Sequence, residues 1–139
     1  MNILYCGDKP MQKGILLSSM SLIGNVEEPL NIYILTVDYS EKGVNYNPVD
    51  KAFAKYLERK LNKSDIGVNV FLVDVTRYFV EELPEANMQS RFTACCMLRL
   101  FADKTDIKER VLYLDTDVLC RKDFSDFYYQ NMDGIETVS

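Results

Sequence analysis

The sequence of 139 residues contains no histidine and no tryptophan, and it has only four cysteines. These are Cys6, Cys95, Cys96 and Cys120, and no two of them have the C-x-x-C spacing. Structural zinc sites are usually built from cysteine and histidine at such spacings, so a site of that kind is excluded. We expect the four cysteines to be small, reduced side chains packed among apolar neighbours.

The sequence also lacks long apolar and basic runs. No apolar stretch approaches the roughly 20 residues that a membrane-spanning helix needs, and the start, MNILYCGDKP, has no basic segment or long apolar core typical of a signal peptide. We therefore expect a cytoplasmic protein without a transmembrane segment. No run of Lys or Arg exceeds two, and the formal net charge is −5. Binding to nucleic acid is accordingly not expected.

Apolar residues are plentiful enough for one well-packed domain, since they make up 47% of the chain and include seven phenylalanines and nine tyrosines. Short runs rich in apolar and β-branched residues predict four strands, at Asn2–Cys6, Leu30–Val37, Gly67–Val73 and Arg110–Leu114. Helical spacing of apolar residues predicts helices at Met11–Gly24, from just after Pro48 to Leu61, at Thr76–Leu83 and at 90–102, with a short one at 123–130. A polar loop is predicted from 38 to 47.

The alternation of these elements predicts the fold class. Strands that look buried on both faces and are separated by helices are typical of a parallel α/β sheet. The fold expected is therefore α/β, with a mostly parallel sheet flanked by helices.

The segment VLYLDTDVL, residues 111–119, places Asp115 and Asp117 at the end of the fourth predicted strand. Ligands of open α/β sheets bind beyond the carboxyl ends of the strands. Residues i and i+2 of an extended segment point the same way, so both carboxylates could reach one centre. Two hard oxygen ligands suit Mg²⁺ or Mn²⁺. The alternative is that Asp115 caps a turn or helix while Asp117 is solvated.

VLYLDTDVL, preceded by LRLFADK, resembles the glycosyltransferases of family 8, which have the GT-A (Rossmann-like) fold. NILYCGDKPMQKGILLSSMSLIGN and VNVFLVDV are similar to the family's opening strand and helix and to its third strand, so the resemblance extends from residue 2 to about 130. It implies that Asp115 and Asp117, with Thr116 between them, form the D-x-D motif. In the family this motif binds Mn²⁺ or Mg²⁺ and the diphosphate of a nucleotide sugar.

The resemblance also implies the other donor-binding residues. Cys6, Gly7 and Asp8 occupy the end of the family's first strand, where an acidic residue contacts the base. Met11 stands where the family has an aromatic residue that stacks on uracil. Arg99, about one residue out of register with an arginine near the donor in the family, is the candidate catalytic residue; the alternative is a surface arginine of an amphipathic helix.

The activity implied is metal-dependent, retaining transfer from a nucleotide sugar, such as a UDP-hexose, to a saccharide acceptor of the glycan or lipopolysaccharide type. Residues 1–139 are then the nucleotide-sugar-binding part of a truncated GT-A domain. The acceptor-binding part is expected to be missing, together with a histidine that the family uses as a third metal ligand. The ending, GIETVS, reads as a strand just begun.

Two other functions remain open at this level. Phosphatases of the haloacid dehalogenase type also carry D-x-D at a strand end, with the first aspartate as nucleophile. Their motif typically opens the chain, whereas here it begins at Asp115 and is followed by Leu119 in place of Thr or Val. A non-catalytic module that binds a nucleotide sugar or a metal is the other alternative.

Overall fold

The computed structural model describes residues 1–41, 43–82, 94–107 and 110–134. Its strands are β1 (Asn2–Cys6), β2 (Leu30–Thr36), β3 (Val68–Asp74) and β4 (Leu112–Tyr113). Its α-helices are α1 (Gln12–Ile23), α2 (Lys51–Leu61), α3 (Thr76–Glu81) and α4 (Ser125–Tyr128). Two 3-10 helices, Lys9–Met11 and Ala94–Lys104, complete the described elements.

The four strands form one parallel sheet in the order β3-β2-β1-β4. The register pairs Leu4 of β1 with Tyr33 of β2 on one side and with Tyr113 of β4 on the other. The predicted fold class is confirmed: the chain is an α/β protein whose all-parallel sheet is flanked by helices, a Rossmann-like arrangement consistent with GT-A.

Helices cover both faces of the sheet, which explains why all five residues of β1 are buried. On one face Ile3 and Tyr5 pack with α1 and α2. On the other face Leu4 and Cys6 pack with α3 and the long 3-10 helix. Successive side chains of a strand point to opposite faces, so a central strand of such a sheet has to be apolar throughout.

Several predicted boundaries were wrong. The fourth strand is two residues long instead of five. On its amino side the carbonyl of Arg110 accepts from two side chains, Asn2 Nδ2 and the Tyr128 hydroxyl, rather than from the backbone of β1. The last helix spans Ser125–Tyr128 rather than 123–130, and the second helix begins at Lys51, three residues after Pro48.

Helical spacing in 90–102 was interpreted correctly as helix, but residues 94–104 form a 3-10 helix that is longer than most of its kind. Three predicted features fall mainly in 83–93 and 135–139, outside the described residues. They are the beginning of the helix predicted at 90–102, the end of the third helix at Leu83, and the strand suggested by GIETVS.

The segment predicted as a polar loop is in part a packed structure. Tyr39 and Tyr46 form an antiparallel bridge, in which the two distances from backbone nitrogen to carbonyl oxygen are 3.0 and 2.7 Å. Both tyrosines are buried. Their rings meet Phe79 of α3 edge-on, with centroids 5.4 and 6.2 Å away. Because most residues of this segment are polar, the sequence did not indicate that these two tyrosines are buried.

Within the described parts of the chain, no helix combines the length and the apolar character needed to cross a membrane.

Candidate functional site

The candidate site lies at the carboxyl ends of β1 and β4. The chain passes from β1 to β2 and β3 on one side, whereas β4 lies on the other side of β1. Ligands of open parallel sheets bind in the crevice at such a reversal of strand order. Asp8 follows β1 by two residues and Asp115 follows β4 by two residues. Two predicted groups that are 107 positions apart in sequence are thus brought to adjacent strands.

Asp8 is a buried carboxylate at the end of β1, with 9% of its surface exposed. Its Oδ1 has no hydrogen-bond partner among the residues that the structure describes. Burial raises the pKa of this carboxyl group, partly offset by a hydrogen bond from its own backbone N–H. An unsatisfied buried acceptor is unfavourable for folding. Such acceptors occur at binding sites, where the bound ligand supplies the missing hydrogen-bond donor.

Replacement of Asp8 by asparagine is expected to stabilise the chain by about 1 kcal/mol near pH 7, because it removes a poorly solvated charge. The raised pKa means that folded Asp8 holds its proton more tightly than unfolded Asp8. Protonation of Asp8 therefore stabilises the folded chain fully below pH 3.8, the ordinary pKa of this carboxyl group. This contribution is lost as the pH rises through the raised pKa of folded Asp8.

Urea denaturation of wild type and Asp8→Asn between pH 7 and pH 3.5 measures this difference, which should shrink as the pH falls. Asp65→Asn, at an exposed carboxylate before β3, is the control and should behave like wild type throughout. A variant at Asp8 that is less stable than wild type at pH 7 would contradict the expectation.

Gly7 and Met11 lie next to Asp8. The Gly7 N–H donates to the Leu35 carbonyl at 3.0 Å, which extends the pairing of β1 with β2. A Cβ at Gly7 would stand 2.8 Å from Met11 Sδ, so the methionine side chain lies directly over the glycine. The Met11 N–H donates to the Asp8 carbonyl at 3.0 Å. The structure therefore brings the predicted residues Gly7, Asp8 and Met11 together.

Asp115 and Asp117 lie in a turn. The Val118 N–H donates to the Asp115 carbonyl at 3.1 Å, and Thr116 and Asp117 are the two central residues. The prediction that this segment is extended was wrong, so the parallel direction of the two side chains cannot be taken from strand geometry. Aspartate is favoured at the first position of such turns, because its short side chain bonds nearby backbone groups. Both carboxylates are exposed.

The Tyr113 hydroxyl connects Asp115 to Arg99. It donates a hydrogen bond of 2.6 Å to Asp115 Oδ1, and the guanidinium carbon of Arg99 lies 5.1 Å from the centre of the Tyr113 ring. Burial and the hydrogen bond to Asp115 raise the pKa of Tyr113, so this hydroxyl keeps its proton and acts as a donor at neutral pH. Arg99 itself is exposed, and its guanidinium lies beside Tyr113 at the end of β4.

The two buried cysteines of this region, Cys6 and Cys95, are thiols rather than reactive thiolates. Burial raises the pKa of Cys6 above its ordinary value, although the charge of Arg99 opposes this shift. Burial, with the nearby charge of Asp8, raises the pKa of Cys95 to about 12. No disulfide joins any of the four cysteines. Cys6 and Cys95 are buried, as expected of small apolar side chains, whereas Cys96 and Cys120 are half-buried.

A metal ion at this site would take its protein ligands from Asp115 and Asp117. Their carboxylate oxygens are the donors that Mg²⁺ and Mn²⁺ prefer. Asp117 makes no hydrogen bond or ion pair within the described part of the chain, which leaves both of its oxygens available there. No group of three or more cysteine, aspartate or glutamate residues in that part could hold a metal ion. The donors present thus suit an ion that completes its coordination with water and substrate oxygens.

Two residues of the site were not found from the sequence. Tyr113 lies inside the apolar run of the motif, where its hydroxyl gave no signal. Gly14 stands in α1, and a Cβ there would lie 2.5 Å from the Thr116 carbonyl oxygen. A glycine within a helical pattern weakens the helix, so its presence could have pointed to a close packing contact.

Two surface cavities lie away from these residues. One, of about 330 Å³, is at the amino ends of the strands and is lined by Met1, Asn2, Asn31, Arg110, Tyr128 and Tyr129. The other, of about 640 Å³, is formed by residues 23–28 with Asp123 and Ser125. Neither contains a residue predicted for the donor site.

Comparison with known proteins gives a match at the level of the family. A sequence model of the family described as glycosyl transferase family 8 matches residues 2–138. No curated protein and no solved structure gives a significant match. The matched range includes Asp8, Arg99, Asp115 and Asp117, the residues that the fold gathers at the ends of β1 and β4.

Proposed function

Because this chain belongs to glycosyl transferase family 8, we propose that its parent protein transfers a hexose from a UDP-sugar to a saccharide acceptor, with a divalent metal and with retention of the anomeric configuration. The family membership supports glycosyl transfer in general. The finer proposal depends on one observation: the buried Asp8 and the Asp115–Asp117 turn flank the same reversal of strand order.

Asp8 is proposed to bind the base. Its unpaired, buried Oδ1 is an acceptor without a donor in the described chain, and a pyrimidine such as uracil offers a ring N–H. Met11, packed over Gly7, would provide an apolar surface beside the base. Cys6 and Gly7 would contribute the floor of this part of the site. Together these residues favour a nucleotide with its base at β1 and its phosphates towards β4.

The diphosphate is proposed to lie at the Asp115-Thr116-Asp117 turn, with Mn²⁺ or Mg²⁺ held by the two aspartates. Such an ion supplies charge stabilisation to the leaving diphosphate. The chain's own contributions would be the two carboxylates, which would hold the ion, and the hydrogen bond from Tyr113 to Asp115, which orients one of them. We assign residues 1–139 to the nucleotide-sugar-binding part of a GT-A domain.

Arg99 is proposed to add a fixed positive charge where negative charge grows as the bond between the anomeric carbon and the diphosphate breaks. Its guanidinium lies over the ring of Tyr113, whose hydroxyl donates to Asp115, which supports a role beside the turn where the diphosphate is proposed to lie. The acceptor hydroxyl would attack on the face that the diphosphate leaves, which gives retention. Acceptors of the glycan or lipopolysaccharide type are the ones that the resemblance implies.

A non-catalytic binding module is the second candidate. The observation that favours it is that the described residues offer two carboxylate ligands and no group of three. Phosphatase activity of the haloacid dehalogenase type is disfavoured by the match to family 8 over residues 2–138.

Isothermal calorimetry of the wild-type chain tests the proposal with a panel of UDP-, GDP- and CMP-sugars, each with Mn²⁺ and with EDTA. We expect binding of a UDP-hexose that is lost when the metal is chelated. Metal-independent binding, or equal binding of all bases, would contradict it. A second assay measures release of UDP by the parent protein in the presence of an acceptor. Release of UDP would identify a transferase, whereas binding without release would identify the non-catalytic module.

A further inference from the structure

Helix α1 and the Asp115–Asp117 turn make an unusually close backbone contact. A Cβ built on Gly14 would stand 2.5 Å from the Thr116 carbonyl oxygen and 3.1 Å from Thr116 Cβ. The carbonyl oxygen belongs to the backbone, so no rotation of a side chain could relieve the overlap. The first turn of α1 can therefore approach this turn only because position 14 carries no side chain.

A second contact holds the same segment further along the helix. The Cys120 N–H donates to Ser21 Oγ at 2.8 Å, and Asn25 Nδ2 donates to the Cys120 carbonyl at 3.4 Å. Asn25 Nδ2 also donates to the Ser21 carbonyl at 2.8 Å, which fixes the amide on the helix end. Positions 14, 21 and 25 recur at helical spacing and lie along one stripe of α1 and its end.

The turn is thus held from both sides. On the sheet side the Leu114 N–H donates to the Leu4 carbonyl at 3.0 Å, and Tyr113 holds Asp115. On the helix side Gly14 touches Thr116, and Ser21 binds Cys120. In sequence, Asp117 lies between the two helix-side contacts at Thr116 and Cys120, and it has no partner of its own in the described residues. Its position is consequently set by the backbone on either side of it.

We propose that Gly14 is a positioning residue for the Asp115-Thr116-Asp117 turn, and that α1 acts as the template that fixes the distance between the two carboxylates. The proposal rests on the proposed function, in which this turn binds the metal and the diphosphate. Gly14 does not touch the ligand; it acts through Thr116. A methyl group at position 14 would have to displace the Thr116 carbonyl by roughly 1 Å, and a displacement of that size is enough to impair a site about 100-fold.

The chain provides a matched control. Gly24, which follows the last residue of α1, has nothing within 4 Å of the position of a Cβ, and its backbone is right-handed helical. Gly24→Ala therefore adds the same methyl group at the end of the same helix without pressing on the turn. A general effect of alanine on α1 would appear in both variants, whereas a positioning effect would appear only in Gly14→Ala.

The first measurement is independent of any ligand. Amide chemical shifts of the whole chain are compared between wild type, Gly14→Ala and Gly24→Ala. Apart from position 14 and its neighbours in α1, we expect the largest shifts of Gly14→Ala at residues 115–118, and we expect none there for Gly24→Ala. Shifts of Gly14→Ala that are confined to α1 would overturn the proposal.

The second measurement uses Mn²⁺ as the probe, through its paramagnetic broadening of the amide signals near Asp115. We expect Gly14→Ala to need about 10- to 100-fold more Mn²⁺ than wild type and Gly24→Ala to match wild type. Equal Mn²⁺ affinity in Gly14→Ala and wild type would overturn the role of Gly14 alone. Failure of the wild-type chain to bind Mn²⁺ would instead overturn the proposed function.

If Gly14→Ala does not fold, Ser21→Ala takes its place, since it removes the acceptor of the Cys120 N–H at the other attachment. We then expect a smaller loss of Mn²⁺ affinity, of about 3- to 10-fold, with amide shifts at 116–120. Unchanged shifts and unchanged Mn²⁺ affinity in Ser21→Ala would count against α1 as the template.

Discussion

Replacement of either Asp115 or Asp117 by asparagine is expected to lower the Mn²⁺-dependent affinity for a UDP-hexose by about 100-fold or more, without unfolding the chain. Each substitution removes one of the two negative charges available to the ion, and neutral amides are weaker ligands for hard cations. Both side chains are exposed, so the effect on folding should stay within about 0.5 kcal/mol. A 100-fold loss corresponds to about 2.7 kcal/mol of binding free energy.

The two substitutions differ in a useful way. In Asp115→Asn the new amide would still offer an oxygen to the Tyr113 hydroxyl, which in the wild-type chain donates to Asp115 Oδ1 at 2.6 Å, so this variant tests charge with the turn preserved. Asp117 has no partner in the described chain, so Asp117→Asn breaks no contact there and removes only the negative charge offered to the ion.

Calorimetry at fixed Mn²⁺ measures the losses, with Asp65→Asn as an exposed control on the far side of the sheet, before β3. Circular dichroism of each variant verifies the fold. Affinities of both site variants that equal wild type would remove the turn from the donor site and, with it, the proposed role of the metal.

Replacement of Phe79 by alanine should have the largest effect on stability, a loss of about 3–5 kcal/mol. Phe79 is completely buried, and it supports the edges of the Tyr39 and Tyr46 rings. Its loss would leave a cavity under the bridge between the two tyrosines. The carbonyl of Asn47, the residue after Tyr46, accepts a hydrogen bond from the Lys9 N–H at 2.8 Å beside Asp8, so the damage should extend to the Asp8 side of the candidate site.

Thermal unfolding tests this expectation. At about 4 °C per kcal/mol for a chain of this length, the midpoint should fall by more than about 10 °C. Val80→Ala is the control, because Val80 is the neighbouring residue of α3 and is 50% exposed; it should change stability by less than about 0.5 kcal/mol. A fall in Phe79→Ala no larger than that of Val80→Ala would show that the aromatic cluster does not stabilise this part of the chain.

Periodicity and composition identified most of the elements, because they record whether each residue faces apolar or aqueous surroundings. β1 was recognisable from five consecutive residues that are suited to burial on both faces, and α1 from apolar residues at helical spacing. These local patterns were sufficient for the α/β class. They failed where contacts between distant residues decided the outcome, as at Arg110, which was predicted to begin the fourth strand but whose carbonyl accepts from the side chains of Asn2 and Tyr128.

The sequence also selected the candidate residues of the site. Asp8, Arg99 and Asp115 were identified from the types of residue at the ends of strands and from the resemblance to family 8. Their chemistry is local: a carboxylate at the end of an apolar run is unusual whatever the fold. What each of them contacts could not be obtained in that way.

The sequence by itself determined that this chain is an α/β protein with a D-x-D segment after its fourth strand. Only the tertiary structure decided that β4 lies beside β1, that the D-x-D segment is a turn, and that Asp8 is buried without a partner for its Oδ1 among the described residues. Strand order and the contact of Gly14 with Thr116 join residues about 100 positions apart. Such contacts depend on the packing of whole elements, which the local spacing of apolar residues does not specify.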